Sequence, residues 1–228
     1  SLNMKKTFVV SGSSRGIGFE LVNLIAAQGH NVFALSRNTE TLIASETLHP
    51  IGIDITDVIA LEKFLQILKE HKIVVDALIN NAGTLLNQPF SETTKEDFEK
   101  IYSVNVFGLA SLTRLLLPII APKGHVVNIS SMGGIGGSSK FAGLAAYSSS
   151  KGAVNILTEL LAEEYKETGP SFNTLALGAV QTEMLAQAFP GFKAPLSAKE
   201  MAEYIFKFSM EGHNFFNGKT IPVSSSTP

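Results

Sequence analysis

Tyr147 and Lys151, in the run Ala146-Tyr147-Ser148-Ser149-Ser150-Lys151, lie four apart in a stretch of helical character. At that spacing their side chains share one face of a helix. A phenol with a pKa near 10 is a poor acid at neutral pH, and an ammonium beside it favours the phenolate. Beside a ligand pocket the pair makes a proton donor usable near pH 7. Alone, the spacing also describes ordinary helix surfaces, so its meaning depends on what the chain places around it.

Two further polar residues are placed to join it. Val126-Val127-Asn128-Ile129-Ser130-Ser131 reads as a strand ending in serines sixteen residues before Tyr147. Ser131 can hydrogen-bond a carbonyl oxygen and stabilise charge developing there during hydride transfer; serine at a strand end is also ordinary turn chemistry. Asn105 sits in the apolar stretch Ser103-Val104-Asn105-Val106-Phe107. A buried asparagine needs partners, either across to a neighbouring helix or through a water that leads protons towards Lys151.

A phosphate-binding turn opens the chain. Ser11-Gly12-Ser13-Ser14-Arg15-Gly16-Ile17-Gly18 follows the first apolar run and starts a helix. Glycines permit a tight turn and close backbone approach to phosphate, with the helix amino terminus favouring negative charge. The spacing is Gly-x-x-x-Gly-x-Gly, distinct from the commoner Gly-x-Gly-x-x-Gly. At the end of the second strand an acidic residue suits the ribose 2′-hydroxyl of NAD, whereas arginine suits a 2′-phosphate. Here Ser36-Arg37 occupies that position, with no acid before Glu40 and with Arg15 as a second cation. NADP(H) is therefore expected over NAD(H). Asp54, just before Ile55, can accept from an adenine amino group or serve the helix that follows. Asn80-Asn81-Ala82-Gly83 ends a fourth strand, its asparagines suited to tying strands together and Gly83 to a close backbone approach.

The elements that must position these residues alternate. Strands are expected at 7–11, 31–36, 49–54, 74–80, 124–130, 171–177 and 220–223. Helices are expected at 16–28, 57–71, 94–117, 145–166, 182–188 and 198–210. Leu61, Phe64, Leu65 and Leu68 form one helical stripe in the second of these. Nearly continuous apolar strands between helices imply a parallel sheet covered on both faces. The expected fold class is α/β: a single-domain, doubly wound Rossmann-type sheet of about seven mostly parallel strands spanning 1–228. Ligands of such sheets sit at the carboxyl ends of the strands, where the strand order reverses.

Composition agrees. The 228 residues are 45% hydrophobic and 17% charged, with net charge −2 and no basic tract, so nucleic acid is not an expected partner. No cysteine is present, which excludes disulfides and thiolate chemistry. Charged or Gly/Pro residues interrupt each apolar stretch, so no membrane span is expected. The basic start has too short an apolar region for a signal peptide, and a cytoplasmic protein is expected, with Ser1-Leu2-Asn3 ahead of Met4 as a natural start.

Taken together, the glycine loop, Asn80-Asn81-Ala82-Gly83, Asn105, Ser131, Tyr147 and Lys151 resemble the short-chain dehydrogenase/reductase family over nearly the whole chain. The resemblance implies a nicotinamide cofactor, no metal, and a catalytic tetrad of Asn105, Ser131, Tyr147 and Lys151. In it Tyr is the acid/base and Ser orients the substrate carbonyl. Lys holds the nicotinamide ribose and lowers the Tyr pKa, and Asn supports a water relay. It implies cofactor contacts from Gly12, Ser14, Arg15, Gly16, Ile17 and Gly18 in the first loop, and from Arg37, Asp54 and Ile55 beside the adenosine. Asn81, Ala82 and Gly83 would meet the cofactor after the fourth strand, with Tyr147 and Lys151 at the ribose and Val180 and Thr182 at the carboxamide.

Three departures stand out. Leu177-Gly178-Ala179-Val180-Gln181-Thr182 replaces the family's Pro-Gly after the sixth strand. The segment from Ser131 to Tyr147 is some three residues longer than is common, and Ile221-Pro222-Val223-Ser224-Ser225-Ser226 lacks the usual Asp-Gly-Gly. The segment of about 181–195 corresponds to the substrate lid, and its Met184, Leu185, Phe189 and Phe192 predict an apolar carbonyl or alcohol substrate. A 3-oxoacyl thioester or a small or cyclic carbonyl compound are both candidates. By resemblance a homodimer or homotetramer is expected, with Leu109, Leu112, Leu116, Leu157 and Leu161 divided between partner and sheet. The contrasting reading is an NADP-binding sensor or scaffold without turnover; such relatives typically lose the Tyr or the Lys, and this chain has both.

Overall fold

The structure, a computed structural model, describes residues 4–225. Ser1-Leu2-Asn3 and Ser226 lie outside the described residues. Seven strands form one sheet: β1 (Thr7–Ser11), β2 (Asn31–Ser36), β3 (Leu48–Gly52), β4 (Val75–Asn80), β5 (Ile120–Ser131), β6 (Ser171–Leu177) and, after a short parallel ribbon of β7 (Val180–Gln181) with β8 (Leu196–Ser197), β9 (Thr220–Val223). Their spatial order is β3-β2-β1-β4-β5-β6-β9. Every neighbouring pair is parallel. The chain crosses over between β1 and β4, so the carboxyl ends of those two strands flank the crevice where a doubly wound sheet binds ligands.

Both faces are covered, which explains the unbroken apolar strands. Alternate residues of one strand serve opposite cores: Phe8 and Val10 face one side and Val9 the other, as Ile79 and Val127 oppose Leu78 and Val126. Helices α1 (Gly16–Ala27) and α7 (Ala198–Glu211) cover the first side through Leu21, Val22, Ile25, Met201 and Ile205. On the second side α2 (Val58–Glu70) contributes Leu61, Phe64 and Leu68, and α4 (Leu109–Leu116) contributes Leu112 and Leu116.

The helix expected over 94–117 is divided. A capping box between Thr94 and Asp97 starts α3 (Lys95–Tyr102), a π-helical segment spans Ser103–Gly108, and α4 follows. Such wide turns gather at functional sites, and this one holds Asn105. Gly108 lets it close on Ile55 in the turn after β3, since a Cβ there would lie 2.8 Å from Ile55 Cδ1. Contrary to the sequence reading, the continuous run Lys95–Ile119 is long and apolar enough to cross a membrane by length and composition. Its Ile101, Leu109, Leu112 and Leu116 are nevertheless buried within this chain. The expected division of apolar surface changes with them: Phe107, Ile156 and Leu160 are the exposed residues, at 58%, 59% and 62%.

The last long helix, α5 (Ala145–Glu164), is bolted to the sheet by buried polar groups. Asn80 Nδ2 donates to Thr113 Oγ1 at 3.0 Å and to Asn128 Oδ1 at 2.8 Å. Asn128 Nδ2 donates to Thr158 Oγ1 at 2.9 Å, and Thr174 Oγ1 reaches the same hydroxyl at 2.7 Å. Buried hydrogen bonds of this kind fix one register of helix on sheet, because any slip leaves donors unpaired at about 1–3 kcal/mol each.

Candidate active site

The glycine loop is built around two backbone conformations that favour glycine, with φ of +69° at Gly12 and +60° at Gly16. A Cβ on Gly18 would overlap the carbonyl oxygen of Gly12, so no other residue lets α1 pack so near the turn. Arg15 begins α1 without a side-chain cap, and its first turn carries no acid. The leading N–H groups of α1 are thus free to receive an anion. These features fit the pyrophosphate of a dinucleotide.

The loop is held from β4. Asn81 Nδ2 donates to the carbonyls of Ser11 and Gly12 at 3.3 and 3.1 Å, and the N–H of Ala82 donates to Ser11 Oγ at 2.9 Å. The Asn81 side chain is therefore a strut for the glycine turn. Thr41 Oγ1 donates to the Ser14 carbonyl at 2.6 Å and ties the turn to the segment after β2.

Arg37, exposed at the end of β2, is near enough to Asp54 to help hold its carboxyl below the usual range; the larger cause is the hydrogen bond from the Thr56 N–H. Asp54 Oδ1 accepts from Thr56 N at 2.9 Å and Thr56 Oγ1 at 2.7 Å, while Asp57 caps α2. Of the two readings of Asp54, local turn chemistry is what its Oδ1 performs. The Ile55 side chain is buried in the core, 8% exposed.

At the carboxyl end of β5 the remaining candidates converge. Ser131 stands near enough to the Tyr147 phenol to act on its pKa as a hydrogen-bond partner. Lys151 Nζ lies 5.7 Å from the centroid of the Tyr147 ring and donates to the Ile129 carbonyl at 3.1 Å. A Cβ on Gly83 would sit 3.4 Å from that Nζ and 3.6 Å from Asn105 Oδ1, so Gly83 lies beside both groups. Asn105 is held on both sides of its amide: Oδ1 accepts from Thr84 N at 2.8 Å, and Nδ2 donates to the Thr84 carbonyl and Ser150 Oγ, each at 3.0 Å. Its side chain thus binds the loop after β4 to α5.

The electrostatics differ from the simple expectation. Burial raises the Tyr147 phenol above its usual pKa, with the Ser131 hydrogen bond opposing. Burial also lowers the Lys151 ammonium to about 8. The ammonium over the ring does not set the phenol's direction here, because desolvation of the phenolate is the largest influence on it. The phenol stays protonated at neutral pH, which suits an acid.

Val180 is buried within β7, and Thr182 caps the short helix α6 (Glu183–Ala188) by accepting from Leu185 N at 3.1 Å. The Thr182 methyl lies 3.6 Å from a Cβ placed on Gly16, which brings this segment to the glycine turn. Between them is a cleft of about 290 Å³ lined by Arg15, Gly83–Asn87, Met184, Gln187 and Ala188. Met184 faces it with Leu85 and Leu86, whereas Phe192 is 51% exposed. Among the described residues no group of acidic or histidine side chains could hold a metal.

Sequence reasoning missed Ser150 and Asn87. Ser150 carried a signal, being three residues after Tyr147 on the same helix. Asn87, whose Nδ2 donates to the Ala188 carbonyl at 3.0 Å, carried none, because a polar residue in a loop is unremarkable until the fold supplies its partner.

Comparison with known proteins bears on this geometry. A family model described as short chain dehydrogenase matches residues 6–191. The NADPH-dependent pterin aldehyde reductase of Arabidopsis thaliana is 33% identical over 83% of this chain and 81% of its own. The L-2,3-butanediol dehydrogenase of Corynebacterium glutamicum is 33% identical over 81% of this chain and 75% of its own. A solved 4-hydroxyisoleucine dehydrogenase complexed with NADH superposes with a TM-score of 0.87 at 23% identity, covering 97% of this chain and 98% of that one.

Proposed function

Because the chain belongs to the short-chain dehydrogenase/reductase family, oxidoreductases that use nicotinamide dinucleotides on carbonyl and alcohol groups, we propose that it is an NADP(H)-dependent reductase of a ketone, aldehyde or 3-oxoacyl group. The convergence of Ser131, Tyr147 and Lys151 beside the glycine turn carries this reading. A nicotinamide dinucleotide held at the glycine turn of Gly12, Gly16 and Gly18 would supply the hydride. Ser131 Oγ holds the carbonyl oxygen of the substrate beside the phenol, stabilising the charge that develops there. Tyr147 Oη donates its proton to that oxygen. Lys151, anchored on the Ile129 carbonyl, keeps a positive charge close to the phenol as it loses the proton. Asn105 holds Thr84 and Ser150 in place and supports a water path from Lys151 to solvent.

Arg37 and Arg15 support the 2′-phosphate preference, as does the NADPH dependence of the Arabidopsis relative. Arg37→Ala is expected to weaken NADPH binding about tenfold or more, the scale of a hydrogen bond to a charged group, and to leave NADH nearly unchanged. Fluorescence titration with both nucleotides checks it, and equal weakening removes the 2′-phosphate assignment. The remaining walls, Leu85, Leu86 and Met184, support an apolar substrate, with the segment 181–195 as its lid.

The chain acts in the cytoplasm in this reading and pairs with copies of itself. The apolar surface at Phe107, Ile156 and Leu160 supports the pairing. Ile156→Glu with Leu160→Glu is expected to shift the chain to monomer in light scattering; an unchanged mass rules this face out.

A further inference from the structure

Three segments meet at Asn87. Its Nδ2 donates to the carbonyl of Ala188, the last residue of α6, at 3.0 Å. The other edge of the amide lies flat on Gly143, where any Cβ would overlap Asn87 Oδ1 and stand 3.3 Å from its Cγ. Gly143 has φ +98°, and its carbonyl accepts from Gln88 N at 2.9 Å. Asn87 therefore joins the loop after β4, the lengthened segment leading to Tyr147, and the helix that roofs the cleft.

That helix depends on such ties. Six residues are far too few for a helix to hold itself. At its start Glu183 pairs with Arg15 at 3.6 Å, but both side chains are more than half exposed, and an exposed pair holds little. Thr182 caps the helix internally and does not anchor it to the opposite wall. Among the described residues, the side-chain hydrogen bond from α6 to the loop after β4 is the one from Asn87. The cleft of about 290 Å³ between α6 and Leu85–Asn87 lies at the lower limit of small-ligand pockets. With α6 in this position it restricts a ligand, and movement of α6 away from Leu85–Asn87 widens it.

We propose that Asn87 is a positioning residue whose amide latches the carboxyl end of α6 in the closed position, so that breaking one hydrogen bond opens the cleft. This rests on the redox reading for its consequence, not for its test. A single neutral hydrogen bond biases such an equilibrium by roughly two- to tenfold.

The readout is trypsin cleavage after Lys193 in the full chain without ligands. Lys193 is exposed, but Ala194 N donates to Gln181 Oε1 at 2.8 Å, so cleavage needs the 189–194 segment to open. Asn87→Ala and the isosteric Asn87→Asp, which removes the donor and keeps the shape, are both expected to speed this cut roughly two- to tenfold, with cleavage at other lysines unchanged. Circular dichroism confirms that both variants fold. In turnover both are expected to lower KM by a similar factor without lowering kcat, because the latched position is the one that restricts ligand entry. Wild-type cleavage rates in both variants overturn the latch and leave the redox reading intact. A fall in kcat at constant KM also overturns it, because Asn87 would then act on the chemical step. Faster cleavage in a protein whose wild type reduces no carbonyl leaves the latch standing and removes the redox reading instead.

Discussion

Tyr147→Phe is expected to lower carbonyl reduction by about 10²–10⁴-fold while leaving nucleotide binding close to wild type. The substitution deletes one oxygen and keeps the ring. Lys151 retains its hydrogen bond to Ile129 O, and the glycine turn is braced by Asn81 and Ser11, neither of which touches the phenol. What disappears, on the proposed mechanism, is the proton at the point where Ser131 would present the substrate oxygen. Its loss shows in the chemical step, so single-turnover oxidation of NADPH with a carbonyl panel is the direct measurement, paired with nucleotide fluorescence. Turnover within tenfold of wild type sinks the assignment of Tyr147 as the acid. Loss of nucleotide binding as well assigns the residue to the cofactor site alone.

Acid is expected to destabilise the fold through a histidine remote from this chemistry. His125 is fully buried, and burial lowers its pKa to about 3. Its Nε2 accepts from Asn173 Nδ2 at 3.0 Å, and its Nδ1 faces the Ser209 carbonyl at 3.2 Å, an arrangement only the neutral ring satisfies. His213 stacks on it at 4.6 Å and opposes a second charge. The unfolded chain binds a proton near pH 6.5, whereas the folded one does so only near 3. The folded state therefore has the depressed pKa. Its contribution is fully present above about 6.5 and is lost as pH falls towards 3, at about 1.4 kcal/mol per unit and roughly 4–5 kcal/mol in all. Burial lowers His30 and His213 in the same direction. Urea unfolding at pH 7, 6, 5 and 4 measures the slope. His125→Leu lowers stability at pH 7 but should flatten that slope, and an identical slope in both proteins discards His125 as its source.

The face of α5 that bears Tyr147 and Lys151 was legible because helical spacing is a local property of the chain. So were the glycine turn and the seven strands, whose apolar runs match the sheet within a few residues at each end. The division of the helix over 94–117 was not. A π-helical turn costs little by composition, and what stabilises this one is Asn105 reaching Thr84 and Ser150 from other elements. For the same reason the division of Leu109, Leu112, Leu116, Leu157 and Leu161 between partner and sheet was not legible, and the first three are core: period 3.6 marks a stripe but not what covers it.

The direction of the phenol's pKa is the sharpest case. From residue types alone an ammonium four residues away lowers it; in the folded molecule burial raises it and lowers the ammonium too. Local pattern established which side chains share a face, which turns need glycine, and hence the family and its type of chemistry. Dehydration, the polar ladder from Asn80 to Thr174, and the tie from Asn87 to α6 were decided only by packing. Each depends on groups distant in sequence, and the energy of a buried charge or an exposed hydrogen bond is set by what surrounds it in space.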